Sequence, residues 1–378
     1  VPQKFDYIII GSGLAGLQLA YTFGQDPFFK KSKIAIIDPS KKETNDKTWC
    51  YWEKGAGKWD EIITSSWNQG KFISTEANIN LNLDPYSYKM LRSLDFYNFV
   101  KAVLKDKSNF HFILDEIEEI DEKNSIALGK KENYTATHFF DSRINSGYLE
   151  DSGSTKIFQH FKGWHIKTSS PVFDKSTFTM MDFRIKFPDS TSFTYVLPLN
   201  DCEALLEYTF FTPFLTEESI YDTYLKSYIK DILNVEEYEI IGTEKGVIPM
   251  TDYDFHEASS PKVTKIGTAG SWVKGSTGYS FKHTEKKIAQ LIENIKTGKD
   301  PKKGLMNARS RWYDAIFLDV LNRNNEHGEQ LFTKFYAKNT PQEIFKYLDE
   351  ETNLTEELKI MFSLYDSQFV RSFFRKLF

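Results

Sequence analysis

Near its start the chain carries a glycine-rich hexapeptide, Gly11-Ser12-Gly13-Leu14-Ala15-Gly16, that constrains the fold more than any other feature. It follows an apolar run, Tyr7-Ile8-Ile9-Ile10, that reads as a buried strand, and it opens a helical pattern bearing Leu17, Leu19, Ala20 and Phe23. Ile34-Ala35-Ile36-Ile37-Asp38 reads as a second buried strand, so the order is that of a βαβ unit. Gly11 allows the tight turn, Gly13 lets a pyrophosphate approach the backbone, and Gly16, beside Ala15, lets helix and strand pack closely. The helix N-terminus supplies N–H groups and partial positive charge for phosphates. Asp38 ends the second strand 22 residues after Gly16, close to the spacing of about 20 at which an acid binds a ribose. An acid there favours an unphosphorylated ribose, as in FAD or NAD. The motif is N-terminal and no second full fingerprint follows, which favours a resident FAD with any nicotinamide cofactor as a visitor.

Further along, helical spacing recurs at Phe96, Phe99, Val100 and Leu104, and strand-like runs cover 110–114, 125–128 and 138–140. From about Gly163 the pattern changes to β-rich runs over 178–185, 192–199 and 204–211, which read as an antiparallel sheet. Thr216-Glu217-Glu218 starts a helix carrying Ile220, Tyr224, Leu225, Tyr228 and Ile232. Around Ile248 the pattern turns back toward α/β, with Ile266-Gly267-Thr268-Ala269-Gly270 and then a helix bearing Ile288, Leu291, Ile292 and Ile295. From Pro301 onward the chain reads as helix, with a capping-box start at Thr340-Pro341-Gln342-Glu343. The expected domains are a discontinuous dinucleotide-binding domain over 1–68, 92–155 and 250–298, a sheet domain over 69–91 and 156–249, and a helical region over 299–378.

The net charge of −5 argues against a nucleic-acid partner. Two cysteines, Cys50 and Cys202, make neither a disulfide framework nor a zinc pattern, so a reducing cytoplasm is the expected compartment. No apolar run approaches a membrane span and no signal pattern opens the chain. The seven histidines show no metal spacing, and His160, His165 and His283 read as structural. The aromatic content, 32 Phe, 20 Tyr and 7 Trp, reads for most positions as a Phe-rich core, and some of these rings suit a pocket for a large apolar or cationic species.

Several segments carry a family resemblance. They include Asn45-Asp46-Lys47-Thr48-Trp49-Cys50-Tyr51-Trp52, Tyr88-Lys89-Met90-Leu91-Arg92, Asp141-Ser142-Arg143 and Met181-Asp182-Phe183-Arg184. The most telling are Leu206-Glu207-Tyr208-Thr209-Phe210-Phe211, Ile248-Pro249-Met250, and Gly267-Thr268-Ala269-Gly270 running to Ser276-Thr277-Gly278-Tyr279-Ser280-Phe281. Spread in order to about residue 281, these resemble lycopene β-cyclases of the bacterial and plant type. The resemblance implies an α/β (α+β) fold: a Rossmann-like FAD-binding domain of the para-hydroxybenzoate hydroxylase type, an interrupting antiparallel-sheet substrate domain and a helical C-terminal tail. It implies an isomerase that needs reduced FAD, refilled by NADPH or NADH, and that turns lycopene or a similar acyclic carotenoid into a ringed product. It places Gly267, Gly270, Thr277 and Gly278 near the flavin. Related flavoproteins often carry Gly-Asp where this chain has Gly267-Thr268. Asp141 and Arg92 join the cofactor set, with Arg92 and Arg143 reading equally as phosphate partners or structural arginines.

Ring closure needs a positioned acid, a dry pocket and stabilisation of positive charge. Glu207 is the acid of choice, because burial among apolar neighbours raises a carboxyl pKa. Strand alternation alone allows an outward-facing Glu207, and the motif decides for function. Plant members often carry a second acid next to this Glu, where this chain has Tyr208. Trp49, Trp52 and Tyr279 are candidates for the surroundings of the cation. The segment from Leu358 to Phe378, with Lys359, Arg371, Arg375 and Lys376 against Asp366, reads as an amphipathic helix for a membrane surface or as an ordinary terminal helix. A substrate that lives in bilayers favours peripheral association. The alternatives on the same fold are a flavin monooxygenase and an isoprenoid reductase.

Overall fold

Strand Gln3–Ile10 buries Ile8, Ile9 and Ile10 completely, as a parallel strand covered on both faces requires. In the computed structural model, which describes residues 2–377, this strand pairs in parallel with Ile34–Asp38 on one side and Asn133–Asp141 on the other. Phe110–Leu114 extends the sheet beyond Ile34–Asp38, and Val263–Lys265 joins the end of Asn133–Asp141, again in parallel. An antiparallel hairpin of Ile117–Asp121 and Ile126–Gly129 completes a seven-stranded sheet. Helices Leu14–Gln25, Ser93–Leu104 and Phe281–Lys296 cover one face, burying Leu17, Phe23, Phe96, Val100, Ile288 and Leu291. The α/β fold expected from the glycine motif is therefore present.

A second seven-stranded sheet has the order Tyr238–Thr251, Lys156–Thr168, Glu203–Thr212, Ser192–Pro198, Thr177–Asp182, Gln69–Ile73, Asn78–Asn82. All its neighbours are antiparallel except Thr177–Asp182 with Gln69–Ile73. Helix Glu218–Ser227 and a wider π turn, Tyr228–Ile232, cover one face through Leu225 and Ile229, which pack on Trp164, Leu206, Tyr208 and Phe210. Two strands depart from the sequence reading. Lys156–Thr168 opens the segment expected to form the sheet domain but is not among the strands read from the sequence, because Gln159, His160, Lys162 and His165 mask its alternation. Tyr238–Thr251 runs through Ile248, where a return to α/β was expected, as an edge strand with one side unpaired and a bulge opposite His165 and Ile166. Its exposed Ile240, Ile241 and Val247 obscure any period of two.

A small third sheet, Thr48–Lys54 with Tyr86–Arg92 and Ser65–Trp67, joins the two large ones. The tail forms helices Ala308–Arg323, Gly328–Lys338, Pro341–Leu348, Leu354–Ser363 and Ser367–Arg375. Thr340 and Glu343 make the expected capping box with Pro341 at the start. Phe332, Tyr336, Phe345 and Leu348 of this tail share one core with Trp52, Phe72, Phe183 and Phe211 of the sheets. Each such ring stabilises the docking by about 1.5–3 kcal/mol relative to exposure, so the tail is part of the fold.

The last helix docks on Ala308–Arg323: Ser372 Oγ donates to the Ile316 carbonyl at 3.1 Å, Arg375 pairs with Asp319, and Lys376 pairs with Asp252 at 2.7 Å. Two of the four cations expected on a basic face are thus turned inward, and Lys359 is paired with Glu343. Phe362, Tyr365 and Phe374 remain exposed, at 72%, 69% and 56%. Phe378, the end of that segment, and Val1 lie outside the described residues. Among the described residues no helix is long and apolar enough to cross a membrane.

Candidate active site

The glycine turn has the geometry its sequence requires. Gly11 has φ +98°, and a Cβ there would lie 2.0 Å from Ser142 Oγ. A Cβ on Gly16 would lie 1.9 Å from the Gly11 carbonyl oxygen, a backbone atom that cannot step aside. At Gly13 a Cβ would meet nothing within 4 Å, because the residue faces an open cavity of about 610 Å³. Helix Leu14–Gln25 begins there with no side-chain cap and no acid in its first turn, which leaves its N–H groups free for an anion. Gly13, Ala15 and Gly16 line the cavity together with Gly267, Thr268, Thr277 and Gly278. Gly278, at φ +75°, is pressed against Gln159: a Cβ would lie 2.0 Å from Oε1. Gln159 Oε1 and Thr277 Oγ1 are buried without a hydrogen-bond partner, so polar atoms await a ligand at this end. These features fit a bound dinucleotide.

Other predicted positions support the turn without reaching the cavity wall. Asp38 accepts the Ser12 and Ser40 backbone N–H groups, each at 2.7 Å. Gly270 packs against the Lys265 carbonyl, where a Cβ would lie at 2.3 Å. Asp141 is buried and receives Arg143 at 2.9 and 3.0 Å and Lys265 at 2.8 Å. Burial pushes its carboxyl pKa up, but the hydrogen bonds and charges of Arg143 and Lys265 outweigh this and hold it below the usual range. It ties Asn133–Asp141 to Val263–Lys265, and Arg143 is the structural partner of the two earlier readings. Arg92 precedes helix Ser93–Leu104, with its guanidinium 3.4 Å from His165 Nδ1.

The far wall of the cavity is the open face of the large antiparallel sheet. Register places four residues in one row across four strands: Glu244, Gly163, Glu207 and Tyr195. Residues opposite one another in a sheet share a face, and this face lines the cavity through Glu244, Glu207, Thr209, Phe161, Phe193 and Tyr195. Glu207 is therefore neither outward-facing nor packed in the core, and the surface it retains belongs to the cavity. Tyr208 points the other way, with its hydroxyl 3.1 Å from Ser192 Oγ. Gly163 lies between the two glutamates, and a Cβ there would stand 3.0 Å from Glu207 Cγ and 3.1 Å from Glu244 Cγ. The missing side chain lets the carboxyl groups meet over the backbone.

Burial, then the charge of Glu244 and a hydrogen bond with it, raises the Glu207 pKa well above the usual carboxylate range. Two charges about 4 Å apart repel by about 4 kcal/mol at an effective dielectric constant of 20, so a pair in contact holds one proton rather than ionising twice. Thr48 Oγ1 donates to Glu244 Oε2 at 2.6 Å. Above the pair, Tyr195 donates to Tyr88 Oη at 2.7 Å, and Tyr88 and Tyr279 hydroxyls lie 2.9 Å apart. Burial raises all three phenol pKa values and that of Cys50, so these groups stay neutral beside the pair.

Of the aromatic candidates, Trp49 and Tyr279 line the cavity. Trp52 packs against Tyr279 at 4.6 Å and stacks on Phe345 at 4.5 Å, with its ring in the core. His160 is buried between the Tyr221 hydroxyl and Thr212 Oγ1, and burial lowers its pKa to about 4. His283 hydrogen-bonds the Leu348 carbonyl at 3.0 Å. Among the described residues no group of His, Cys, Asp and Glu has the arrangement of a metal site. Sequence reasoning did not find Glu244, Thr48, Gly163 and the Tyr88–Tyr195 contact. One local signal existed: a glycine inside a strand marks a close approach.

The architecture is shared with flavoenzymes of known structure. The flavin-dependent brominase Bmp2 superposes with a TM-score of 0.61 at 12% identity, over 92% of this chain and 94% of that one. A geranylgeranyl bacteriochlorophyll reductase-like protein from Thermoplasma acidophilum gives 0.61 at 12% identity, over 100% of both chains. A tryptophan halogenase from Shewanella frigidimarina gives 0.59 at 11%, over 100% and 94%. At these identities the likeness is one of fold. No curated protein sequence matches the chain significantly. The family model described as "Lycopene cyclase protein" matches residues 6–377.

Proposed function

Because the chain belongs to the lycopene cyclase family, enzymes of carotenoid metabolism, we propose that it closes the acyclic ends of lycopene, or of a similar acyclic carotenoid, into β-ionone rings with no net redox change. The observation that carries the reading is the position of Glu207, its carboxyl pKa raised by burial and by Glu244, on a largely apolar cavity that also meets the dinucleotide turn.

The cavity fits FAD: Gly13, Ala15 and Gly16 would hold its pyrophosphate, and Gly267, Thr277 and Gly278 would hold its ring system. When bound in its reduced form, kept so by NADPH or NADH, the flavin supplies an electron-rich surface beside developing positive charge. Glu207 holds the proton to be donated. Transfer to the terminal double bond forms a C–H bond and leaves a tertiary cation. The neighbouring double bond closes the six-membered ring, and loss of a ring proton to the carboxylate restores both the double bond and the acid. One proton is lent and one returned. Phe193, Phe211, Phe332 and Tyr336 exclude water that would quench the cation, and Trp49 and Tyr279 offer ring faces to it.

A bilayer-soluble substrate favours peripheral membrane association, and the tail exposes Phe362, Tyr365 and Phe374, side chains suited to it. The deciding experiment is anaerobic incubation with lycopene and chemically reduced FAD. Bicyclic product is expected from the wild type, with a loss of about 10²–10⁴-fold in Glu207→Gln at unchanged flavin binding. An oxygenated product under air would support the monooxygenase reading, and stoichiometric NADPH consumption the reductase reading.

A further inference from the structure

We propose that Glu244 is the positioning residue that keeps Glu207 a proton donor, the two carboxyls forming a proton-sharing pair that meets across the side-chain gap at Gly163. This rests on the reading of Glu207 as the acid. The row of cross-strand partners puts both carboxyls on one face of the sheet with only Gly163 between them. A Cβ at Gly163 would crowd both Cγ atoms, at 3.0 and 3.1 Å. The second acid is thus supplied from a different strand, 37 residues along the chain, rather than by the next residue, where Tyr208 turns to the opposite face.

The pair is asymmetric. Glu244 has a dedicated donor, Thr48 Oγ1 at 2.6 Å, and belongs to the edge strand. Glu207 belongs to an interior strand, and among the described residues no cation is hydrogen-bonded to it. Its surroundings from each packed element are Glu244 of Tyr238–Thr251, Tyr195 of Ser192–Pro198, Cys50 of Thr48–Lys54, Tyr88 of Tyr86–Arg92 and Tyr279 of the loop before helix Phe281–Lys296. His165 lies one cross-strand row away on the same face as Gly163, held by Arg92, and burial lowers its pKa. The charge on Glu244 therefore makes ionisation of Glu207 unfavourable, and after proton donation the doubly charged pair both attracts the cation and takes a proton back.

Two measurements on Glu244→Gln test this. The first is the pH dependence of kcat/KM with reduced FAD. A wild type that cyclises nothing ends the underlying reading, whatever Glu244 does. In an active enzyme, removal of the charge moves the alkaline limb to lower pH, so activity at pH 8 falls about tenfold for each unit of movement and recovers on acidification. Glu244→Asp retains the charge and lies nearer the wild type. The second is the infrared C=O stretch of the protonated carboxyl, assigned by its loss in Glu207→Gln and followed without substrate. It titrates at lower pH in Glu244→Gln, a readout independent of turnover. A uniformly lower rate with an unmoved pH limb and an unmoved band would overturn the proposal. If Glu244→Gln fails to fold or to bind flavin, the same two readouts on Glu244→Ala, which also removes the charge, decide it, an unmoved band again counting against.

Discussion

The two large sheets build their halves of the cavity by different means. On the nucleotide side the work is done by backbone: Gly11 at φ +98°, Gly13 open to the cavity, and Gly16 in contact with the Gly11 carbonyl. On the far side it is done by side chains brought together by strand register, with Glu207 and Glu244 meeting over Gly163. Backbone geometry is dictated within a few residues and tolerates almost no substitution. Register is a property of the whole sheet, and it tolerates change until two particular groups lose contact.

Substitutions break this contrast at different depths. The largest effect is expected from Gly16→Ala, whose new methyl would stand 1.9 Å from a backbone oxygen. It should abolish flavin binding, or soluble expression, and absorbance near the flavin bands of the purified protein checks it. Retained stoichiometric flavin would show the turn to be more compliant than its contacts imply. Gly163→Ala should be milder, because its neighbours at 3.0–3.1 Å are side-chain atoms able to shift by a few tenths of an ångström. Removing a strand glycine stabilises the fold by up to about 1 kcal/mol, whereas parting the carboxyls should lower turnover about tenfold. Thermal midpoint and rate are then expected to move in opposite directions, and a parallel fall in both would point to simple crowding.

The smallest effect sharpens the same comparison from the side of stability. The folded-state pKa of Glu207 is raised, so the stability it contributes is fully present below the ordinary glutamate pKa and is lost as pH rises through the raised value. Glu207→Gln, which resembles the protonated form, should raise the melting midpoint by about 2 °C at pH 8 and leave it unchanged at pH 4. Equal midpoints at both pH values would argue against a buried acid.

What was legible in the sequence follows the same division. Gly11, Gly13, Gly16 and Asp38 announce their unit because strand, turn and helix are contiguous, and the start of helix Pro341–Leu348 is written locally in Thr340, Pro341 and Glu343. Glu207 was legible as an acid in an apolar run. Its partner was not, because Glu244 lies among Thr243, Lys245 and Gly246 on an edge strand with exposed isoleucines and reads as a solvated glutamate. Lys156–Thr168 was not legible as a strand for a related reason: it carries His160, Lys162 and His165, whose partners Tyr221, Asp222 and Arg92 come from distant segments. Asp141 and Arg92 matched motifs, while the bonds of Asp141 to Arg143 and Lys265 and the contact of Arg92 with His165 appear only in the folded arrangement.

The tail helix Gly328–Lys338 contributes Phe332, Phe335 and Tyr336 to the wall of the cavity. These residues leave the ribosome after both sheets have been synthesised, so a nascent chain could acquire its nucleotide half while its reaction chamber is still unroofed. Under the proposed cyclisation, a carbocation formed in such a vessel would be trapped by solvent as a tertiary alcohol. Hydroxylated side product is therefore a gauge of how tightly this helix seats, and loosening it should degrade the fidelity of the reaction before its speed.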